Sequence, residues 1–227
     1  NAKVTINSGT INVVYGGGNA ADVDNDTELK LLGGSITTNL YGGGNNGIVS
    51  GSTNVTITDA TIGGTAFAGG NGATATVSGS TSLKVFDSDI TANVYGGGNN
   101  GVVNGSTDVL INNSTLGASA YAGGNGATAT VYGNTSITVG GTTEVGTSSC
   151  TVLSTCSVFG GGNAATTGSE TTDNSMAYVK IAGATVHGNV YGGANTSKVY
   201  GGDVEGVERN TRKKKQKHTR QKLSRWN

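Results

Sequence analysis

The chain has 227 residues, of which 41 are glycine and none is proline, and only 34% are hydrophobic, 5% aromatic and 12% charged. So few apolar side chains exclude a thick globular core. The net charge of zero is the sum of two unlike segments: residues 1–208 carry five basic and fourteen acidic residues, a net charge of −9, and residues 209–227 carry nine basic residues, a charge of +9.

Two classes of protein remain for the body, a disordered low-complexity chain and a repeat fold that buries a thin strip in each unit. The apolar residues recur at fixed spacing and are mainly Val, Ile and Tyr, which suit half-buried strands. No run of apolar residues is long enough to span a bilayer. The pattern favours a repeat fold.

Each repeat opens with two apolar residues at positions i and i+2, which places both side chains on one face of a strand. The pairs are Val4/Ile6, Leu29/Leu31, Val55/Ile57, Leu83/Val85, Val109/Ile111, Ile137/Val139 and Val179/Ile181. Another apolar residue follows several positions later, as Ile11 does in the first repeat. Each repeat is therefore predicted to contain two or three short strands.

A phrase of one aromatic, two or three small residues and one asparagine then closes each repeat. Its aromatic residues are Tyr15, Tyr41, Phe67, Tyr95, Tyr121, Phe159 and Tyr191. Its asparagines are Asn19, Asn45, Asn71, Asn99, Asn125, Asn163 and Asn195. The aromatics are 26, 26, 28, 26, 38 and 32 residues apart, so only the last two steps carry insertions.

These marks together predict an all-β fold, a parallel β-helix of about seven coils with 26–28 residues per coil, over residues 1–208. Glycine suits the bends because it adopts positive φ freely, and proline would remove a ladder hydrogen bond. Equivalent residues should stack, so we predict a structural column of the seven aromatics and another of the seven asparagines. A functional aromatic platform is the alternative role for the aromatic column.

The two cysteines, Cys150 and Cys156, are separated by a short polar segment. We predict a local disulfide that closes a surface loop, which suits an exported protein, with two reduced thiols as the alternative. The insertions around residues 142–157 and 164–177 break the repeat period. Binding tends to lie on such departures from a rigid scaffold.

Candidate metal and catalytic residues are few. Asp22, Asp24 and Asp26 resemble the start of an EF-hand loop, but the required glycine and the final glutamate are missing, so a looser calcium site stands against a solvated loop. Asp87 and Asp89 form the best carboxylate pair for acid–base work, against a solvated turn. We expect no catalytic residue, no cofactor and no enzymatic activity.

Residues 41–87 repeat closely at 95–141, which indicates duplication of a two-coil unit. The threonine pairs Thr74/Thr76 and Thr128/Thr130 recur only in every second coil of this unit. An ice-binding surface would require threonines in every coil. Ice binding is therefore a minor hypothesis.

Residues 209–227 form a basic tail with almost no apolar residues. Its densest positive charge is at Arg212, Lys213, Lys214, Lys215 and Lys217. Blocks of like charge are usually disordered and bind polyanions such as nucleic acid or anionic cell-wall polymers. A solvated terminus, or a segment foreign to the natural protein, is the alternative.

The Gly-Gly-Gly-Asn phrases between Val-x-Ile strands resemble repeat regions of bacterial surface adhesins and autotransporter-like passengers, and also β-helical stems of phage tail fibres. The resemblance covers residues 1 to about 205 and rests on composition and period. It implies an extracellular or virion-surface rod that attaches to a cell-surface glycan or protein receptor. Neither end shows a capping helix, so we expect neighbouring coils in a longer parent chain.

Three alternatives to a cell-surface adhesin follow from the same features. A virion fibre predicts a homotrimer, whereas an adhesin predicts a monomeric rod. A polysaccharide-degrading β-helix enzyme would need grouped carboxylates with nearby basic residues, and an ice-binding protein would need a regular threonine array. The sequence offers little for the last two.

Overall fold

A computed structural model describes residues 1–152, 155–169 and 175–200. In these ranges the chain is all-β, with three parallel sheets of seven strands each that stack as a β-solenoid. The fold predicted from the repeat period is confirmed. In the described part of the chain, no helix has the length and apolar character needed to cross a membrane.

Each coil contributes one strand to each sheet. Sheet A holds the long strands β1 (Ala2–Ile6), β4 (Thr27–Leu31), β7 (Thr53–Thr58), β10 (Thr81–Phe86), β13 (Thr107–Asn112), β16 (Thr135–Gly140) and β19 (Ala177–Ala182). Sheet B holds β2 (Thr10–Ile11), β5 (Gly34–Ile36), β8 (Ala60–Ile62), β11 (Asp89–Ile90), β14 (Thr115–Leu116), β17 (Glu144–Val145) and β20 (Thr185–Val186). Sheet C holds β3 (Val14–Tyr15), β6 (Leu40–Tyr41), β9 (Ala66–Phe67), β12 (Val94–Tyr95), β15 (Ala120–Tyr121), β18 (Val158–Phe159) and β21 (Val190–Tyr191).

Coil 1 therefore contains β1 to β3, and coil 7 contains β19 to β21. A fourth side of each coil returns the chain to sheet A through single β-bridges rather than strands, for example Val49 with Val77 and Val77 with Val103. The pairing is in register, so Val55 lies over Leu29 and under Leu83. Equivalent residues of successive coils therefore form columns along the axis of the rod.

The core is a thin strip formed by every second residue of each strand. In β7 the side chains of Thr53, Val55 and Ile57 are buried, and those of Asn54, Thr56 and Thr58 are more accessible. The inward residues of all three sheets form one cluster, in which the central leucines, isoleucines and valines are essentially inaccessible to solvent. The remaining residues of each long strand are thereby presented to solvent on the outer face of sheet A.

The bend after each aromatic residue requires glycine or alanine because the coils touch there backbone to backbone. A Cβ atom on Gly42 would lie 2.2 Å from the carbonyl oxygen of Ala68 and 2.6 Å from the Val55 side chain. The Ala68 carbonyl accepts a hydrogen bond from the Thr53 hydroxyl and therefore cannot move aside for such an atom. This close approach explains why the phrase is built from the smallest residues.

The corner between sheets A and B adopts a left-handed conformation in coil after coil. Asp59 has φ 51°, Asp87 has φ 48° and Asn113 has φ 51°, and the next two coils place Gly141 and Gly183 at this corner with positive φ. Asn, Asp and Gly are the residues that tolerate this conformation best. The type of residue at position 87 is thus explained by the backbone.

Candidate functional site

The seven aromatic residues of the repeated phrase lie in single file along the rod. Neighbouring ring centroids are 4.7 to 5.0 Å apart, and the planes are inclined by 4° to 10°. The inner five rings are buried and form a cluster separate from the main core, and Tyr191 at the end is 39% exposed. The ring spacing also measures the rise from one coil to the next.

Burial changes the acidity of the stacked tyrosines. Desolvation raises the pKa of Tyr41, Tyr95 and Tyr121 above the usual value, since the charged phenolate has little access to water there. The Asn39 amide donates a hydrogen bond of 3.2 Å to the Tyr41 hydroxyl. These hydroxyls are therefore held in the neutral form by their position in the stack.

The asparagines of the phrase form a second column. The side-chain amide of each donates to the side-chain oxygen of the asparagine one coil earlier, over 2.7 to 3.0 Å, from Asn45 to Asn195. Each inner asparagine thus uses its amide group and its oxygen within the column. The arrangement supports a structural role for both columns on this side of the rod.

Cys150 and Cys156 form a disulfide, with their Cα atoms 6.4 Å apart. The bond closes a short loop between β17 and β18 in coil 6. Gly146 lies against it, because a Cβ atom there would be 2.3 Å from the Cys156 Cβ atom. The disulfide therefore cross-links the first of the two period-breaking insertions within itself.

The acidic segment does not form a ligand group. The Asp22 carboxylate accepts the Ile48 N–H at 2.8 Å, and the Asp26 carboxylate accepts the Ser52 N–H at 2.7 Å. Asp24 is exposed. Among the residues that the structure describes, no three His, Cys, Asp or Glu side chains lie close enough to hold a metal ion.

Asp87 and Asp89 are exposed at the corner between sheets A and B. The other titratable pair on this side is His187 and Glu144, whose Nε2 and Oε2 atoms are 3.7 Å apart. Neither pair lines the three depressions that lie along sheet A. The basic residues Arg212, Lys213, Lys214, Lys215 and Lys217, and the boundary near residue 208, lie outside the described residues.

The alternating coil types follow from how one coil fits over the next. Thr74 donates to the Asn46 carbonyl at 2.9 Å, and Thr128 donates to the Asn100 carbonyl at 2.7 Å. A Cβ atom on Gly72 would lie 2.0 Å from the Asn46 side-chain oxygen. These threonines therefore serve contacts between coils, which explains their occurrence in every second coil.

A column of buried threonines is a feature that sequence reasoning missed. Thr27, Thr53, Thr81, Thr107 and Thr135 begin the long strands of coils 2 to 6, and each donates to the carbonyl of the residue that follows the aromatic of its own coil, over 2.5 to 2.7 Å. Ala2 and Ala177 occupy this position in the end coils. The recurrence of Thr just before each Val-x-Ile pair was the available signal.

The outer surface above this threonine column is a groove that runs along the rod. Two columns flank it. The bend column precedes sheet A and contains Asn1, Asp26, Ser52, Ser80, Ser106, Asn134 and Met176. The strand column is the first outward position of sheet A and contains Lys3, Glu28, Asn54, Ser82, Asp108, Ser136 and Tyr178.

Three depressions of about 230, 250 and 370 Å³ make up this groove. The first two share Asn54, and the last two share Ser106, Thr107 and Asp108. They therefore join end to end from coil 1 to coil 7. The groove is a candidate binding surface because it is continuous and concave, and because short polar side chains line it through coils 3 to 6.

The bend column is held by hydrogen bonds to the backbone of the next coil. The Ser52 hydroxyl accepts the Ser80 N–H at 3.1 Å, the Ser80 hydroxyl accepts the Ser106 N–H at 3.1 Å, and the pattern continues to Met176. In the described residues, these serine hydroxyls act only as acceptors. Their own protons are available to an acceptor in the groove.

Charge varies along the groove. At its first end Glu28 lies 2.5 Å from Lys30 and 3.0 Å from Lys3, and hydrogen bonds to these lysines lower the pKa of Glu28 to about 2. Through coils 3 to 6 the only ionised side chain in the two columns is Asp108, which accepts from the Ser136 hydroxyl. The far end carries Met176 and the half-buried Tyr178.

The fold and these surfaces define a β-solenoid rod with structural columns on one side and an open polar groove on another. No family model, curated protein or solved structure matches the chain.

Proposed function

We propose that this protein is a rigid extracellular rod that attaches to a cell surface through its repeated outer faces. The observation that carries the proposal is the pair of columns of short polar side chains that runs along sheet A through coils 3 to 6, repeated at the 4.7 to 5.0 Å rise of the coils. A rigid lattice of this kind offers many weak contacts at once, and such contacts add up to strong attachment. The likeness of the repeats to surface adhesins agrees with this role.

The disulfide between Cys150 and Cys156 supports an oxidising location, since disulfides persist mainly outside the cytosol. Repetition of one structural unit, rather than a single constellation of reactive groups, favours attachment over catalysis. We accordingly propose an extracellular or cell-surface location and no enzymatic turnover. Release of new reducing ends when the protein is incubated with polysaccharides would contradict the absence of enzymatic turnover.

Adhesion of beads tests the proposal directly. Beads coated with the purified chain should be retained on a panel of bacterial and epithelial cells well above beads coated with an unrelated protein of similar mass. Retention at the control level on every cell type would overturn the proposal. The mass in solution separates a cell-surface rod from a virion fibre, because a monomer supports the former and a trimer the latter.

A further inference from the structure

We propose that the groove on sheet A binds an extended, uncharged glycan whose chain runs parallel to the axis of the rod. The inference rests on the proposed attachment function and names its ligand class and its residues. Coils 3 to 6 supply eight side chains to the groove, all short and polar: Ser52, Asn54, Ser80, Ser82, Ser106, Asp108, Asn134 and Ser136.

The hydrogen-bonding character of these groups matches a polyol. Glycan hydroxyls both donate and accept, and the groove offers both functions. The protons of Ser52, Ser80 and Ser106 are free to be donated, because each oxygen already accepts an N–H of the next coil. The exposed Asn54 amide and the Asp108 carboxylate supply further donors and acceptors.

The fixed positions of these hydroxyls favour recognition. Each bend-column serine is held at its oxygen by a backbone N–H, so little side-chain entropy is lost when its proton is donated to a ligand. The rise of 4.7 to 5.0 Å per coil is close to the length of one hexose unit in an extended chain. One sugar can therefore meet an equivalent pair of columns in each coil.

Charge argues against two other polymers. Asp108 is the one charged side chain of the two columns in coils 3 to 6, and it disfavours a polyanion, whereas the exposed Lys84 lies outside these columns at the next outward position of β10. An extended peptide needs a row of unpaired backbone groups, and the strands of sheet A are paired on both sides in coils 2 to 6. Both polymers nevertheless serve as comparison probes.

Tyr178, which is not part of the aromatic column, supplies an aromatic surface for stacking at the far end of the groove. It lies in register with Ser136 on the outer face of sheet A and is half-buried beside Met176. Tyrosine offers a large apolar face at little conformational cost, and the C–H face of a sugar ring packs on such a surface. The end of the glycan is thus held by stacking and its middle by hydrogen bonds.

Calorimetric titration with uncharged β-linked hexose oligomers, from dimer to octamer, tests the proposal. Affinity should rise with length up to about the pentamer, which spans coils 3 to 7, and then level off. Ser82→Lys, which places a long charged side chain in the groove, should abolish binding, and Tyr178→Ala should weaken it at least about fivefold. Thr115→Lys, an equal change on the exposed face of sheet B, is the matched control and should bind normally.

Thermal melting of each variant separates lost binding from lost folding. Asn54→Lys offers a second blocking change at an exposed position if Ser82→Lys does not fold. Affinity independent of length, equal binding by the Ser82→Lys and Thr115→Lys variants, or a preference for oligogalacturonate or a Ser/Thr-rich peptide would each overturn the inference. If bead adhesion persists in the Ser82→Lys rod while the oligomers fail to bind, the glycan inference is wrong and the attachment function stands.

Discussion

The aromatic side of the rod and the groove on sheet A are built from the same repeat, yet they use their polar groups differently. On the aromatic side, the asparagine amides donate along the column and their oxygens accept, so the hydrogen-bonding capacity is largely consumed between coils. In the groove, the bend-column serine oxygens accept from the backbone, and their hydroxyl hydrogens have no acceptor among the described residues. A column that satisfies itself consolidates the rod, and a column that does not is available to a ligand.

The largest expected effect follows from removing one ring from the middle of the aromatic column. Tyr95 stacks on Phe67 at 4.9 Å and on Tyr121 at 4.7 Å, and it is 3% exposed. Tyr95→Ala should lower the free energy of unfolding by about 3–5 kcal/mol, measured by chemical denaturation. Tyr95→Phe is the control and should remain close to the parent, because phenylalanine already occupies this column at Phe67 and Phe159.

The buried threonine column should come next. Thr53 is fully buried, and its hydroxyl donates to the Ala68 carbonyl at 2.6 Å. Thr53→Val keeps the shape but leaves that carbonyl without its donor, so we expect a loss of about 1–3 kcal/mol in denaturation. Thr53→Ser keeps the hydroxyl and should lose less; a larger loss for serine than for valine would contradict the role of this hydrogen bond.

Raising the pH above 10 should gradually lower the stability of the fold through the stacked tyrosines. The pKa of Tyr95, like that of Tyr41 and Tyr121, is raised in the fold above its ordinary value of 10.0. The unfolded chain therefore loses these protons first, and the stability that is fully present below pH 10 declines as pH rises through the folded pKa values. Melting temperature against pH, with tyrosinate absorbance recorded together, checks this. Ionisation of all tyrosines before any unfolding would refute the buried stack.

A smaller, stabilising effect is expected at Thr167. This residue is fully buried in the column otherwise made by Val23, Val49, Val77, Val103, Val131 and Val199. Its hydroxyl has no hydrogen-bond partner among the described residues. Thr167→Val should raise the free energy of unfolding by about 1 kcal/mol, because it removes an unsatisfied polar group and matches the neighbouring coils. Destabilisation would show that the hydroxyl has a partner.

The smallest effect is expected in the groove itself. Ser82 faces outward from β10 between Asn54 and Asp108, and its hydroxyl makes no hydrogen bond within the described residues. Ser82→Ala should change stability by less than about 0.5 kcal/mol in the same denaturation assay. A loss as large as that of Thr53→Val would remove the contrast between the two sides of the rod.

Much of the architecture follows from counting along the chain. A step of 26 to 28 residues over the first five coils, with Val-x-Ile pairs and aromatic–glycine–asparagine phrases that continue through the two longer steps, leaves stacked coils as the arrangement in which like residues can meet. The aromatic and asparagine columns were accessible in this way because their members are conspicuous. The threonine column was less so, because threonine is common throughout the chain.

The acidic segment shows where counting is insufficient. Asp22, Asp24 and Asp26 alternate as calcium ligands often do, yet two of these carboxylates accept backbone N–H groups of the next coil. The spacing reports which residues share a side of the chain. It does not report which donor lies one coil away.

Period, number of coils and membership of the columns are properties of the order of residues, since each coil repeats the same local pattern and identical units stack most simply on themselves. The groove and the bond from Thr53 to Ala68 depend instead on distances between residues that lie far apart in the chain. Only the folded rod determines which oxygen accepts a hydrogen bond and which hydroxyl group is still able to donate one. That outcome depends on how closely one coil approaches the next.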